Sequence, residues 1–237
     1  MHGTQKYSGV CTWMGVLLLA FSAVGHASPQ RVDELVTTAL DIDPDLKHGA
    51  VLYAAQCKQC HGASAFGDVT KLIPALAGQR RAYIIKQLAD FTELERDATQ
   101  MHVIVTRKGV SETQDWADLA AYLNGLKPTP TPQTGNGKYV SLGEASYRQW
   151  CASCHEDDGR GDDDGFIPSL RNQHYAYILQ EMRALAASHR TNVEPDLILF
   201  MDSLATDEME GIADYVSRMT GPIKDRAQLH NDGSVGD

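Results

Sequence analysis

Cys57-Lys58-Gln59-Cys60-His61 and Cys151-Ala152-Ser153-Cys154-His155 share one pattern: two cysteines with two residues between them, then a histidine. The offset of 94 that carries Cys57 onto Cys151 also carries Gly49 to Gly143, Tyr53 to Tyr147, Gly67 to Gly161 and Asp68 to Asp162. Further on it carries Pro74 to Pro168, Leu76 to Leu170, Gln79 to Gln173, Tyr83 to Tyr177 and Arg96 to Arg190. Towards the end it slips to 93, where Tyr122 meets Tyr215. The chain is therefore two copies of one unit, each built around a C-x-x-C-H motif.

C-x-x-C-H is the attachment motif for c-type haem. Two thiols at this spacing each add to one vinyl group of a haem, and the following imidazole is held beneath the iron as proximal ligand. Two covalently bound haem c groups are expected, held by Cys57, Cys60, Cys151 and Cys154, with His61 and His155 as metal ligands. A zinc site built from the four cysteines gives no reason for a histidine after each pair. A redox pair or a structural disulfide leaves the histidines equally unexplained.

The remaining composition is that of an ordinary globular chain. Of 237 residues, 43% are apolar, 22% charged and 7% aromatic, and 21 basic residues against 31 acidic ones give a net charge of -10. Such a polyanion is a poor nucleic-acid binder, because phosphate contacts need basic side chains. Residues 1–27 read as a signal peptide. His2 and Lys6 form a weakly basic start, Val16 to Val24 an apolar core, and Gly25-His26-Ala27 a cleavage site. The core is short for a membrane anchor. Cleavage removes Cys11 and leaves four cysteines, so the expected location is periplasmic, with no stable membrane span.

Each copy reads as helical, and no alternating strand pattern is present, so the fold class is all-α. Asp45 caps a helix running into Cys57, and Arg81 to Leu94 presents Ile84, Leu88 and Phe91 on one face. Ser111 with Gln114 resembles a capping box ahead of the stripe Trp116, Leu119, Ala120 and Leu123. The second copy repeats this with Tyr177, Ile178, Met182 and Leu185, then Ile212, Ala213 and Val216. Residues 28–127 and 138–222 are the expected domains, and 223–237 a polar tail. The linker, 128–137, has three alternating prolines that stiffen it, then Gly135 and Gly137 that loosen it.

With these residues in view, the sequence resembles the diheme cytochromes c of the cytochrome c4 type, two class I cytochrome c domains in tandem. The resemblance spans about residues 45–220. It rests on both C-x-x-C-H motifs, on Pro74-Ala75-Leu76-Ala77-Gly78-Gln79 with Tyr83, and on Leu119-Ala120-Ala121-Tyr122-Leu123. It implies that the helix of Gly49 and Tyr53 crosses that of Leu119 and Tyr122, repeated by Gly143, Tyr147, Ile212 and Tyr215. It also implies electron transfer in the periplasm between redox partner proteins, a terminal oxidase or a dehydrogenase among them.

In that family a methionine five residues after an arginine fills the sixth iron position, which here implies Met101 after Arg96, with His102 as a neighbouring competitor. A thioether ligand favours ferrous iron and raises the potential. In the second copy the same count from Arg190 reaches Pro195, which cannot bind iron. Met201 and His189 are the candidates, or the site is open. If the segment from Pro195 is helical, Met201 lies about 240° around from the expected position, and binding requires an unwound segment. An open iron would make the protein an enzyme, of the thiosulfate dehydrogenase or peroxidase kind. A third reading is a cytochrome subunit of a larger complex.

Other features have plainer readings. Met182 and Met209 fit core stripes, and His174, aligned with Arg80, reads as a surface residue. The acidic run from Glu156 to Asp164 is a solvated loop or a docking patch for a basic partner, and it lacks the ligand order of a calcium loop. Arg96 and Arg190 are candidates for haem propionates or for surface salt bridges.

Overall fold

A computed structural model describes residues 29–107 and 110–221. The proposed signal peptide with Cys11, and the polar tail, lie outside the described residues. Among the described residues there are helices and two isolated β-bridges, Asp68 to Ile73 and Asp162 to Ile167, and no strands. The all-α expectation holds.

The first half opens with α1 (Pro29–Leu40), a helix with no counterpart in the second half and none foreseen from the sequence. Val32, Val36 and Ala39 recur at helical spacing and are buried against the domain core. Its last carbonyls have no partner within the helix. Arg81 supplies one, donating from Nη2 to the carbonyls of Ala39, Leu40 and Ile42 at 3.2–3.3 Å.

Then comes α2 (Leu46–Leu52), capped as expected by Asp45, whose carboxylate accepts from the amides of Lys47 and His48. It runs through a π-turn (Tyr53–Cys57) into α3 (Lys58–His61). Next are α4 (Arg81–Thr92), α5 (Thr99–Val105) and α6 (Thr113–Gly125). The capping box of α6 is one residue later than expected, Glu112 with Asp115, because Ser111 lies before the turn that starts the helix. Gln114 instead donates to Asp118.

The second half repeats this order. It has α7 (Val140–Ser146), a π-turn (Tyr147–Cys151), α8 (Ala152–His155), α9 (Tyr175–Ala186), α10 (Pro195–Ser203) and α11 (Thr206–Ser217). The expected crossings form in both halves. A Cβ on Gly49 would lie 2.2 Å from the carbonyl oxygen of Asp118, and one on Gly143 against the backbone of Gly211, so only glycine admits the approach. Tyr53 packs against Tyr122 and Tyr147 against Tyr215 as tilted ring pairs, at centroid distances of 5.8 and 5.6 Å.

The linker is anchored where the sequence suggested looseness. The amides of Gly135 and Gly137 both donate to the carboxylate of Asp214, at 2.9 and 2.7 Å. Thr129 is buried, and Gln133 bonds the first turn of α9 through Tyr175 and Ala176.

Candidate functional site

The two π-turns end at Cys57 and Cys151, the first cysteine of each motif. A π-turn inserts one extra residue per turn, and here it widens the helix where each pair of thiols begins. Nothing in the sequence announces it. Two equivalent tyrosines then hold the ends of the motifs, as Tyr53 and Tyr147 donate from their hydroxyls to the carbonyls of Gly62 and Glu156, each at 2.6 Å.

His61 and His155 sit in matched surroundings. Each ring Nδ1 lies 3.1 Å from a proline carbonyl oxygen, that of Pro74 or Pro168. A carbonyl only accepts, so Nδ1 carries the proton and the ring's lone pair is at Nε2. Burial holds both imidazoles below the ordinary histidine pKa, which keeps them neutral. A neutral, oriented imidazole is the form that binds a metal.

Both motifs open into a single cavity of about 1050 Å³, lined by Cys57, Cys60, His61, Cys151, Cys154 and His155. That exceeds the roughly 300–1,000 Å³ typical of a site for one small ligand. Ile84, Leu88, Phe91, Leu119 and Leu123 wall the first half, and Ile178, Met182, Leu185, Ile212 and Val216 the second. The lining is largely apolar and includes both cysteine pairs and both imidazoles, which suits a flat hydrophobic macrocycle. All four described cysteines are free, and burial pushes the Cys57 and Cys151 thiols up to about 11. Among the described residues no group of three or more His, Cys, Asp or Glu gathers to hold a metal, so the four cysteines do not form a zinc site.

Met101 lines the cavity from α5, and Met201 lines it from α10. The segment from Pro195 is helical, yet Met201 faces in, which corrects the rotation argument. Met101 is the third residue of α5, and the third residue of α10 is Leu197, not Pro195. Met201 is four residues beyond Leu197, about 40° away on the same face and about 6 Å further along the axis. Leu197, Met201 and Leu204 form one stripe on the cavity. His102 is turned away, with its Nδ1 2.7 Å from the carbonyl oxygen of Phe91. His189 is exposed and lies outside the cavity lining.

Beside this cavity the domains meet through contacts that pair equivalent residues. Arg80 donates from Nε to the carbonyl of Arg160 at 2.8 Å, and His174 bonds through Nε2 to the carbonyl of Phe66 at 2.6 Å. His174 is thus only 6% exposed, where a surface position was expected. Arg96 donates to the hydroxyl of Tyr177 at 3.2 Å, and Arg190 to that of Tyr83 at 3.1 Å. Both guanidiniums also reach Glu181, at 2.8 and 2.7 Å. These are not surface salt bridges. Two cations share one carboxylate at the cavity wall, so charge is left for an anionic group in the cavity. Part of the acidic loop is paired within the molecule, while Asp157 and Asp164 are exposed. Asp163 accepts from the Ala82 amide at 2.8 Å, at the start of α4 in the other domain, and Asp158 pairs with Arg171 at 2.7 Å.

The family model described as Cytochrome c matches the chain twice, at residues 46–127 and 140–220. The chain belongs to the cytochrome c family. Within it, this protein is of the diheme cytochrome c4 type and carries two covalent haem c groups. Cytochrome c4 of Azotobacter vinelandii is 28% identical over 179 residues, covering 69% of this chain and 84% of that protein. The thiosulfate dehydrogenase electron acceptor of Stutzerimonas stutzeri (strain A1501) is 28% identical over 184 residues, covering 72% and 82%. The crystal structure of reduced recombinant cytochrome c4 from Pseudomonas stutzeri superposes with a TM-score of 0.66 at 25% identity, covering 75% of this chain and all of that one. A diheme cytochrome of this type transfers electrons. No described helix is long and apolar enough to cross a membrane.

Proposed function

We propose that this cytochrome is an exported, periplasmic electron shuttle in which His61 and Met101 would ligate one haem iron and His155 and Met201 the other. The observation that carries the reading is the placement of Met201 on the cavity face of α10, one turn beyond the place Met101 takes in α5. Haem c supplies a one-electron iron couple, with a potential set by axial ligands and burial. The chain's own residues do the rest. Cys57 and Cys60, and Cys151 and Cys154, tether the rings. The carbonyls of Pro74 and Pro168 orient the proximal imidazoles. Arg96 and Arg190 offer their surplus positive charge to propionates, and the apolar walls exclude water.

Electrons enter from a dehydrogenase and leave to a second redox protein, such as a terminal oxidase. The relative named as an electron acceptor of thiosulfate dehydrogenase supports a sulfur-oxyanion dehydrogenase as the donor.

Carbon monoxide tests the ligation. The ferrous wild-type protein is expected to leave its optical spectrum unchanged when the gas is added, while Met201→Ala makes one haem shift at once. Rapid reaction of one haem in the wild type would mean an open second iron and would favour a haem enzyme.

A further inference from the structure

We propose that Gln79 and Gln173 are crossed positioning residues, each tuning the proximal histidine of the opposite domain through a shared peptide group. This rests on the reading of His61 and His155 as proximal ligands.

The amide of Gln173 reaches from the second domain to residue 75 of the first. Its Oε1 accepts from the Ala75 amide and its Nε2 donates to the Ala75 carbonyl, both at 3.0 Å. Gln79 does the same in the other direction. Its Oε1 accepts from the Ser169 amide at 2.7 Å, and its Nε2 donates to the Ser169 carbonyl at 2.9 Å. Residues 75 and 169 follow the two prolines that hold the imidazoles. The Pro74 carbonyl and the Ala75 amide belong to one resonant peptide unit. The result is a continuous chain, His61 Nδ1–H to the Pro74 oxygen, through the peptide, and Ala75 N–H to Gln173. The mirror chain runs from His155 through the Pro168–Ser169 peptide to Gln79.

Hydrogen bonds in such a chain polarise one another. An acceptor on the Ala75 N–H makes the Pro74 oxygen more negative. That strengthens the bond from Nδ1–H and raises the basicity of the imidazole towards iron. A more basic ligand stabilises ferric iron and lowers the potential. Each domain thus needs the other in place to hold its own iron at its working potential. The bidentate geometry fits this role, because the Nε2 bond fixes the orientation that aims Oε1 at the amide.

The test is a pair of single substitutions in the holoprotein, Gln173→Leu and Gln79→Leu, read by redox titration with each haem assigned by NMR. Gln173→Leu should raise the potential of the His61 haem and leave the His155 haem in place. A shift of about threefold in electron partition is expected, about 28 mV at 59 mV per tenfold for one electron. Gln79→Leu should do the reverse. In the ferrous protein the Nδ1 proton of the opposite domain's histidine should move upfield. Gln173→Glu keeps an acceptor for the Ala75 amide and should keep that proton at or downfield of its wild-type position, even if the leucine variant assembles poorly. A shift of the substituted domain's own haem, equal shifts of both haems, or no shift would overturn the proposal. Failure of the proximal assignment shows up separately, as a haem spectrum unchanged by His61→Ala.

Discussion

The two halves share a plan and differ in what completes them. The first has α1 closing its core, with Trp116 fully buried and its indole donating to the Val110 carbonyl at 2.8 Å. The second has no such helix, and its core draws on Met182 and Met209 beside Ile178, Ile212 and Val216. Methionine is flexible and fills irregular gaps. The first half is therefore packed by fixed shapes and the second by adaptable ones. The residue after the histidine of each C-x-x-C-H motif shows the same contrast. Gly62 has φ 82° and ψ 164°, a region almost restricted to glycine, yet Glu156 has φ 66° and ψ 160° at the equivalent place. The second half holds backbone strain beside His155 that the first avoids beside His61.

Four substitutions probe this contrast. The largest effect is expected from Trp116→Ala, which should destabilise the first half by about 3–5 kcal/mol. Thermal unfolding followed at each haem's absorption should show the first half melting early while the second keeps its transition. If both halves melt together at the lower temperature, their cores are not separable. Next comes Glu156→Gly, which removes the strain and should stabilise the second half by about 1 kcal/mol, with Gly62→Glu costing the first half a similar amount. Opposite movements of the two melting temperatures would bear this out; a loss of stability in Glu156→Gly would show that the side chain's pairing with Arg160, at 3.2 Å, matters more than the backbone.

The smallest effect concerns His48, which has no counterpart pairing in the second half. Its hydrogen bond to Asp118, at 2.7 Å, holds its pKa above the ordinary histidine value. A raised folded-state pKa means the stabilisation is complete below about pH 6.5 and is lost as pH rises through the folded value. The ring is 44% exposed, so solvent screening keeps the contribution under about 1 kcal/mol. Denaturant midpoints of the first half should fall slightly from pH 6 to pH 8, and His48→Gln should flatten that slope.

Much of this was legible in the chain. The motif pair and the fixed offset establish two covalent haem units, and Asp45, Gly49 and Gly143 mark the helices that frame them. What escaped the sequence depends on partners distant along the chain. His174 reads as a surface residue because its partner, the carbonyl of Phe66, is 108 positions away. Gln79, Tyr83 and Arg96 recur in the second copy, and polar residues repeated this way mark the face on which the copies meet. The helical phase of Met201 was hidden for a different reason. The phase of a helix depends on where it starts, and counting from Arg190 placed Pro195 where the structure puts Leu197.

The anchored linker has a mechanical consequence. With Gly135 and Gly137 fastened to Asp214 and Thr129 buried, the connection has no hinge about which the halves could swing. An electron passing between haems held by the two halves would cross a fixed gap. Its rate should therefore be indifferent to solvent viscosity, and the halves have little freedom to trade places with those of another molecule.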